Sequence, residues 1–483
     1  MTTLTLRAPE TRRTLLYNFA ALLAGALVVA LLLNGQGRAA IAVTAAGLFT
    51  AMALVNIRAA VLGVMVYVTF VGDLRRMLIP FFTWTGTDPL LLVSAFFVIV
   101  VFAAAFASGA LRIDTPIARL MVGLMGIMVL QMFNPAQGGL IVGVAGSLFI
   151  IVPLLWFWVG RTYATPKLLR ALFFRVIVPL SLVGAAMGTY QVFYGYLPYQ
   201  KLWVATNWYA GLGSPDHPAP VSLFASNTEY GNYTVIGAVV LWAAFLSRRR
   251  PALLLIPLLV AAVLLTGTRG PVAKLLVVGA GMWAVIGTHK SAWVARGAFA
   301  LFVGAAGLAW TITAATENLA FDASVQTRLD RQAEEFVNED DPYATEEEFS
   351  SSNAHFDMWA RSYTWAIANP LGLGLGATSQ ASSKFGGTGH SSETDLGDSF
   401  ITSGVIGGIV YHIMVVLIVT STLRYWLRTR SLEALALMGI LGVTFLQWQG
   451  GGAYAVSTIV WFCIGALDGL ANRPDRADAL APA

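Results

Sequence analysis

Apolar runs of about twenty residues follow one another from Leu15 to Leu470, and this succession decides what solvent the chain can fold in. A helix needs about 20 mostly apolar residues to cross the hydrocarbon of a bilayer. In hydrocarbon every backbone N–H and C=O must be paired inside the protein, and a helix does this within its own segment. Only 11% of the residues are charged, against about 25% in soluble domains. The expected fold is therefore all-α, a polytopic transmembrane helical bundle.

Breaking the runs at charges, prolines and glycines places spans near 15–33, 39–55, 58–72, 89–110, 117–133, 138–159, 170–194, 228–246, 251–268, 271–287, 294–315, 397–423, 432–448 and 453–470. Two of these are short, so about 12 to 14 spans are expected. The polar start carries Arg7, Arg12 and Arg13 and leads into an apolar run too long for a signal-peptide core, which reads as a retained first helix. The single cysteine, Cys463, excludes a disulfide framework and a cysteine metal site.

With an inner N-terminus, the inner segments hold 20 of the 30 Lys and Arg residues, while the outer ones hold 19 of the 25 acids. That asymmetry follows the positive-inside rule and puts both termini in the cytoplasm. The basic residues sit at helix ends rather than on one soluble face, so no nucleic-acid partner is expected. The chain divides into N-terminal spans (1–194), a first long outer loop (195–226), central spans (227–315), a large outer loop (316–396), C-terminal spans (397–470) and a tail (471–483). The first loop is rich in aromatic residues and proline, as at a membrane interface. The second is acidic, most of all from Glu334 to Glu348, and reads as solvated surface without calcium-loop spacing. Within it, Phe356, Trp359, Tyr363 and Ile367 recur at helical spacing over 354–368.

Three constellations carry candidate chemistry. Arg269 lies between Gly267 and Gly270 at the mouth of a helical hairpin, on the side where arginine is disfavoured. Its planar guanidinium suits phosphate oxygens, and flanking glycines let an anion approach the backbone. Arg361 and Trp365 precede Asn369-Pro370, where the helix should end, followed by the alternating Gly372, Gly374 and Gly376. His390, Glu393, Asp395 and Asp398 gather before a helix containing Gly404, Gly407 and Gly408. Some of these carboxylates suit a helix start, and His390 or Glu393 suits a general base.

The order of these features resembles the bacterial O-antigen ligase and polysaccharide polymerase family. The resemblance is carried by Thr266-Gly267-Thr268-Arg269-Gly270, by the large outer loop with Arg361, Trp365, Asn369-Pro370, Gly372 and Gly374, and by Gly404 to Gly407. Phe224-Ala225-Ser226-Asn227-Thr228-Glu229-Tyr230-Gly231 resembles it too. The likeness covers roughly residues 220–420.

The resemblance implies a metal-independent, cofactor-free glycosyltransferase with a GT-C-like fold in the bacterial inner membrane. Its partners would be a polyprenyl-diphosphate-linked oligosaccharide donor, a glycan acceptor and membrane lipids, with chain-length-regulating or export proteins as further partners. Arg269 and Arg361 would hold the diphosphate, and Glu393 or His390 would be the base. Asp395, Asp398, Trp365 and Glu229 are candidate contacts to acceptor or sugar. Two departures stand out. Pro218-Ala219-Pro220 replaces an arginine that many members carry ahead of the Phe224 motif, for which Arg361 and Lys201 are the candidate substitutes. Glu393 occupies the place, eleven residues before Gly404, where ligases tend to carry His-Asn. Polymerisation of repeat units is the leading expectation, ligation to a lipid A core the alternative. A transporter is the reading from another class; it would place ionisable groups near mid-membrane, where these spans have almost none.

Overall fold

The computed structural model of the chain describes residues 23, 25–206, 213–214, 217–249, 252–287, 296, 351–387, 389–390, 392, 394–448 and 454–472; of residues 205–206, 213–214, 217–218, 253, 269 and 351–357 it describes the backbone alone. The described chain is all-helical apart from a two-residue antiparallel pairing of Gly213–Ser214 with His217–Pro218. Among the described residues, six helices are long and apolar enough to cross a membrane.

The first full element, α1 (Gly37–Met77), leaves helical geometry at Asn56, with φ −152° and ψ 93°. The Asn56 side-chain oxygen accepts from the N–H groups of Arg58 (3.1 Å) and Ala59 (3.2 Å) and so caps the second arm. The arms fold back on each other. Phe49 meets Tyr67 with ring centroids 5.6 Å apart, and Arg38, at the start, reaches the carbonyl of Arg75, near the end.

There follow α2 (Leu92–Ala107), α3 (Pro116–Gln131), α4 (Leu140–Tyr163) and α5 (Pro166–Tyr194), the last containing a π-helical turn at Leu172–Ile177. Next come α6 (Pro198–Thr206), α7 (Asn227–Leu246), α8 (Ala252–Leu264) and α9 (Arg269–Val285). The chain continues through α10 (Ser351–Ala368), α11 (Gln380–Phe385), α12 (Asp395–Thr429), α13 (Leu432–Val443) and α14 (Tyr454–Ala471). Thr115, Thr165, Ser226, Thr394 and Ser431 cap helix starts with their side-chain oxygens, and Pro116 and Pro166 occupy first-turn positions where no N–H is needed. Every expected span between 39 and 287 and between 397 and 470 coincides with a described helix or with an arm of α1. The span near 294–315, and all but the end of that near 15–33, lie outside the described residues.

One end of the bundle, the loop end, carries residues 78–91, 132–139, 195–206, 217–226 and 369–387. The other end carries 108–115, 164–165, 247–249 and 430–431. Leu48, Phe96, Ile99 and Val416 are exposed along the helices, which suits contact with lipid tails. At the centre α4 and α14 touch backbone to backbone. A Cβ on Gly465 would collide with the Phe157 carbonyl, and one on Gly160 with the Phe462 carbonyl. Gly465 and Gly469 form the small-xxx-small spacing that permits this approach.

Next to this contact, Arg161 is 3% exposed and binds Asp468 (2.6 Å), Asp114 and the Arg112 carbonyl. Thr115 also donates to Asp468, at 2.8 Å. Removing one partner of such a buried pair costs about 3–5 kcal/mol, so this junction is fixed.

Gly465→Ala is expected to destabilise the protein by about 3 kcal/mol, because the added methyl meets backbone that has no room to yield. Gly126→Ala, whose Cβ meets open space on α3, should instead gain up to about 1 kcal/mol. Unfolding midpoints of the two variants in detergent, compared with the parent, check both signs.

Candidate functional site

The Phe224 motif is threaded between α1, α5 and α7. The Gln191 side-chain oxygen accepts from the N–H groups of Val221 (3.0 Å) and Ser222 (2.8 Å), and the Asp73 N–H donates to the Leu223 carbonyl at 3.1 Å. Gly72 lets the Phe224 backbone lie against α1, where any side chain would clash. Asn227 donates to the carbonyls of Pro220 (2.8 Å) and Thr266 (3.4 Å), linking this segment to the turn ahead of α9. The expected sugar contact Glu229 is corrected here. It is 2% exposed, and its two oxygens accept from the N–H groups of Ala455 (2.7 Å) and Ala225 (3.0 Å). It staples the starts of α7 and α14, and both of its oxygens are taken by backbone N–H groups.

The glycine-rich loop after α10 ends up inside the protein. As expected, α10 stops at Ala368, ahead of Pro370. Helix α12 is broken at Gly404, with φ +67°, where a continuous helix was expected. The loop fills the break. Leu373 and Gly374 donate to the carbonyls of Ile401 (2.8 Å) and Thr402 (3.1 Å), and Val405 donates to the Pro370 carbonyl (3.0 Å). Gly376 donates to the Gln137 side chain at 3.0 Å. The close backbone approach that these glycines permit is therefore made to protein.

The opening of α9 is different. Gly267 has φ +67°, and a Cβ on either Gly267 or Gly270 would meet nothing within 4 Å, so the backbone beside Arg269 is accessible. One turn further in, the Lys274 ammonium donates to the side-chain oxygens of Asn232 (2.9 Å) and Gln447 (2.7 Å). The neighbouring Leu446 carbonyl accepts from the Asp395 N–H at 2.9 Å. Residues 446–447 thus join the starts of α9 and α12.

Arg361 and Trp365 lie four residues apart, on one face of α10. Trp365 meets His390 edge to face with ring centroids 4.2 Å apart, and the His390 N–H donates to the Ala377 carbonyl at 2.6 Å. Arg361, Trp365 and His390 are thereby grouped. The expected base Glu393 lies outside the described residues. Asp398 accepts from both the N–H (2.7 Å) and the hydroxyl (2.9 Å) of Ser392, closing the turn into α12. Asp395 is 4% exposed and accepts from the Tyr411 hydroxyl at 3.4 Å. Both acids expected to touch acceptor or sugar take part in building the α12 start.

The sequence reading missed a cationic cluster at the end of α1. Arg38 and Arg75 share the buried carboxylate of Asp88, at 2.5 and 3.2 Å, and Arg75 stacks over Trp84 at 4.4 Å. Arg76 is 1% exposed, donates to the Ala225 carbonyl at 3.1 Å and stacks on Trp203 at 4.2 Å. It is the arginine that lies beside the Phe224 motif. Asp73 ties α6 down through Tyr199 (2.8 Å) and Gln200 (3.0 Å), and burial together with Asp73 raises the Tyr199 phenol pKa. The signal that singled out Arg269, arginine on the side poor in bases, is present in Arg75-Arg76 as well.

Gly404→Ala is expected to cost about 3 kcal/mol, from left-handed strain of about 1–2 kcal/mol and a clash with the Pro370 carbonyl. Gly267→Ala carries the strain alone and should cost about 1–2 kcal/mol. Thermal midpoints in detergent separate them; equal losses would mean that the loop does not clasp the α12 break.

No family model matches the chain, and no curated protein matches it.

Proposed function

We propose that the protein is a glycosyltransferase that joins polyprenyl-diphosphate-linked oligosaccharide repeat units on the periplasmic face of a bacterial inner membrane. The observation that carries this reading is the convergence at the loop end. The open backbone around Arg269 begins a helix that is joined through Lys274, Gln447 and Leu446 to the start of α12, close behind His390 and its Trp365 and Arg361 neighbours. In the reaction, His390 or Glu393 takes the proton of an acceptor hydroxyl, whose oxygen bonds to the anomeric carbon of the donor. The bond from that carbon to the diphosphate breaks, and the diphosphate leaves with the electron pair. Arg269 and Arg361 meet the charge that builds on it, where fixed cations lower the barrier most. Transfer to a lipid A core in place of a second repeat unit makes the enzyme a ligase, and product size distinguishes the two.

Arg269→Lys keeps the charge and loses the fork, so polymer formation from purified lipid-linked repeat units in nanodiscs should fall about a hundredfold to a thousandfold. Near-normal turnover in a monodisperse variant would remove Arg269 from the site.

The loop end is assigned to the periplasm and both termini to the cytoplasm on the charge asymmetry. A cysteine at Ser350 should react with a membrane-impermeant maleimide in intact cells, and one at Ser247 should not. Labelling of Ser247 would reverse the orientation.

A further inference from the structure

A second site lies beside the cationic cluster, and it needs no transferase activity to exist. A cavity of about 270 Å³ opens between the second arm of α1 and helices α2, α4 and α14, with walls that include Val68, Leu91, Phe149 and Trp156. Its mouth is flanked by the exposed Leu92 and Leu148, so it opens sideways toward lipid. The wall on α4 runs from Ala145 at the loop end down to Trp156, a depth of about 16 Å at the helical rise. That matches about 15 Å for the hydrocarbon of one leaflet.

The rim is cationic. Lys384 and Asp88 line the cavity, and behind its wall Arg38 and Arg75 share the Asp88 carboxylate, so these four groups carry two positive charges in excess. Lys384 donates to the Gly86 carbonyl at 3.2 Å and has no ion-pair partner among the described residues. Burial, helped by the Arg75 guanidinium, lowers the pKa of its ammonium, as it does for a cation short of a counter-charge.

We infer that this cleft holds one acyl chain of an anionic phospholipid from the surrounding outer leaflet, with its head group against Lys384. Charge complementarity selects the head group, and the one-leaflet depth selects a glycerophospholipid chain over a long polyprenyl chain, which would outrun the cavity.

The full-length protein is reconstituted in nanodiscs of equal phosphatidylglycerol and phosphatidylcholine, extracted in mild detergent, and its retained lipid is weighed by native mass spectrometry. Phosphatidylglycerol should be retained about tenfold over phosphatidylcholine. Lys384→Gln, on a short exposed helix, should bring the ratio near one while a lipid is still retained. Ala95→Trp, which fills the cavity, should abolish retention. Equal retention of the two lipids by the parent, or an unchanged ratio in Lys384→Gln, would overturn the inference. Displacement of phosphatidylglycerol by an equimolar polyprenyl monophosphate would give the cleft to a polyprenyl chain and overturn it too.

Discussion

A backbone in hydrocarbon has no water to pair with, so each departure from helix must be answered by another part of the protein. This requirement explains how the loop end is assembled. At Asn56 the chain answers with its own side chain, which caps the second arm of α1. At Gly404 the broken turn leaves carbonyls at Ile401 and Thr402, and the loop after Pro370 supplies their N–H partners. The glycines there are needed because two backbones lie in contact: a Cβ on Gly372 would sit 2.5 Å from the Gly404 nitrogen. A loop that reads as a candidate ligand cradle is in this way committed to holding a broken helix together. Arg361, Trp365 and His390, the residues of the proposed site, stand on the face beside it.

Polar residues at the loop end fall into two groups by what their atoms already do. Glu229, Asp398 and Asp395 are engaged in stapling helix starts and closing turns. Lys274 links α7, α9 and the turn before α14. Such contacts are worth most where water is scarce, because losing one strands its partner. The loop end is thus a polar frame that joins the starts of α7, α9, α12 and α14.

The spans were legible because their signal is local: twenty apolar residues read as a crossing wherever they occur. The end of α10 at Pro370 and the helix over 354–368 were legible for the same reason. The break at Gly404 was not, since its cause lies 30 residues away in the loop that fills it. The Arg38–Asp88–Arg75 cluster requires residues 50 apart to meet, which no periodicity encodes. Glu229 was misread because a carboxylate in a motif looks the same whether it faces a sugar or, as here, the N–H of a residue 226 positions on. Arg269 was singled out on its backbone surroundings, and the open space beside Gly267 and Gly270 supports that part of the reading.

The junction at Arg161 has a consequence for how the chain is made. Its two carboxylate partners are very unequal in sequence distance, Asp114 lying 47 residues before it and Asp468 lying 307 residues after it. At a synthesis rate of about 5–20 residues per second, Asp468 leaves the ribosome on the order of 15–60 s after Arg161. Through that interval the guanidinium has one carboxylate to hold, the half-exposed Asp114. Of the junction's two carboxylates only Asp114 is thus available to Arg161 early, and the contact between α4 and α14 can be completed only when synthesis of the last helix brings Asp468.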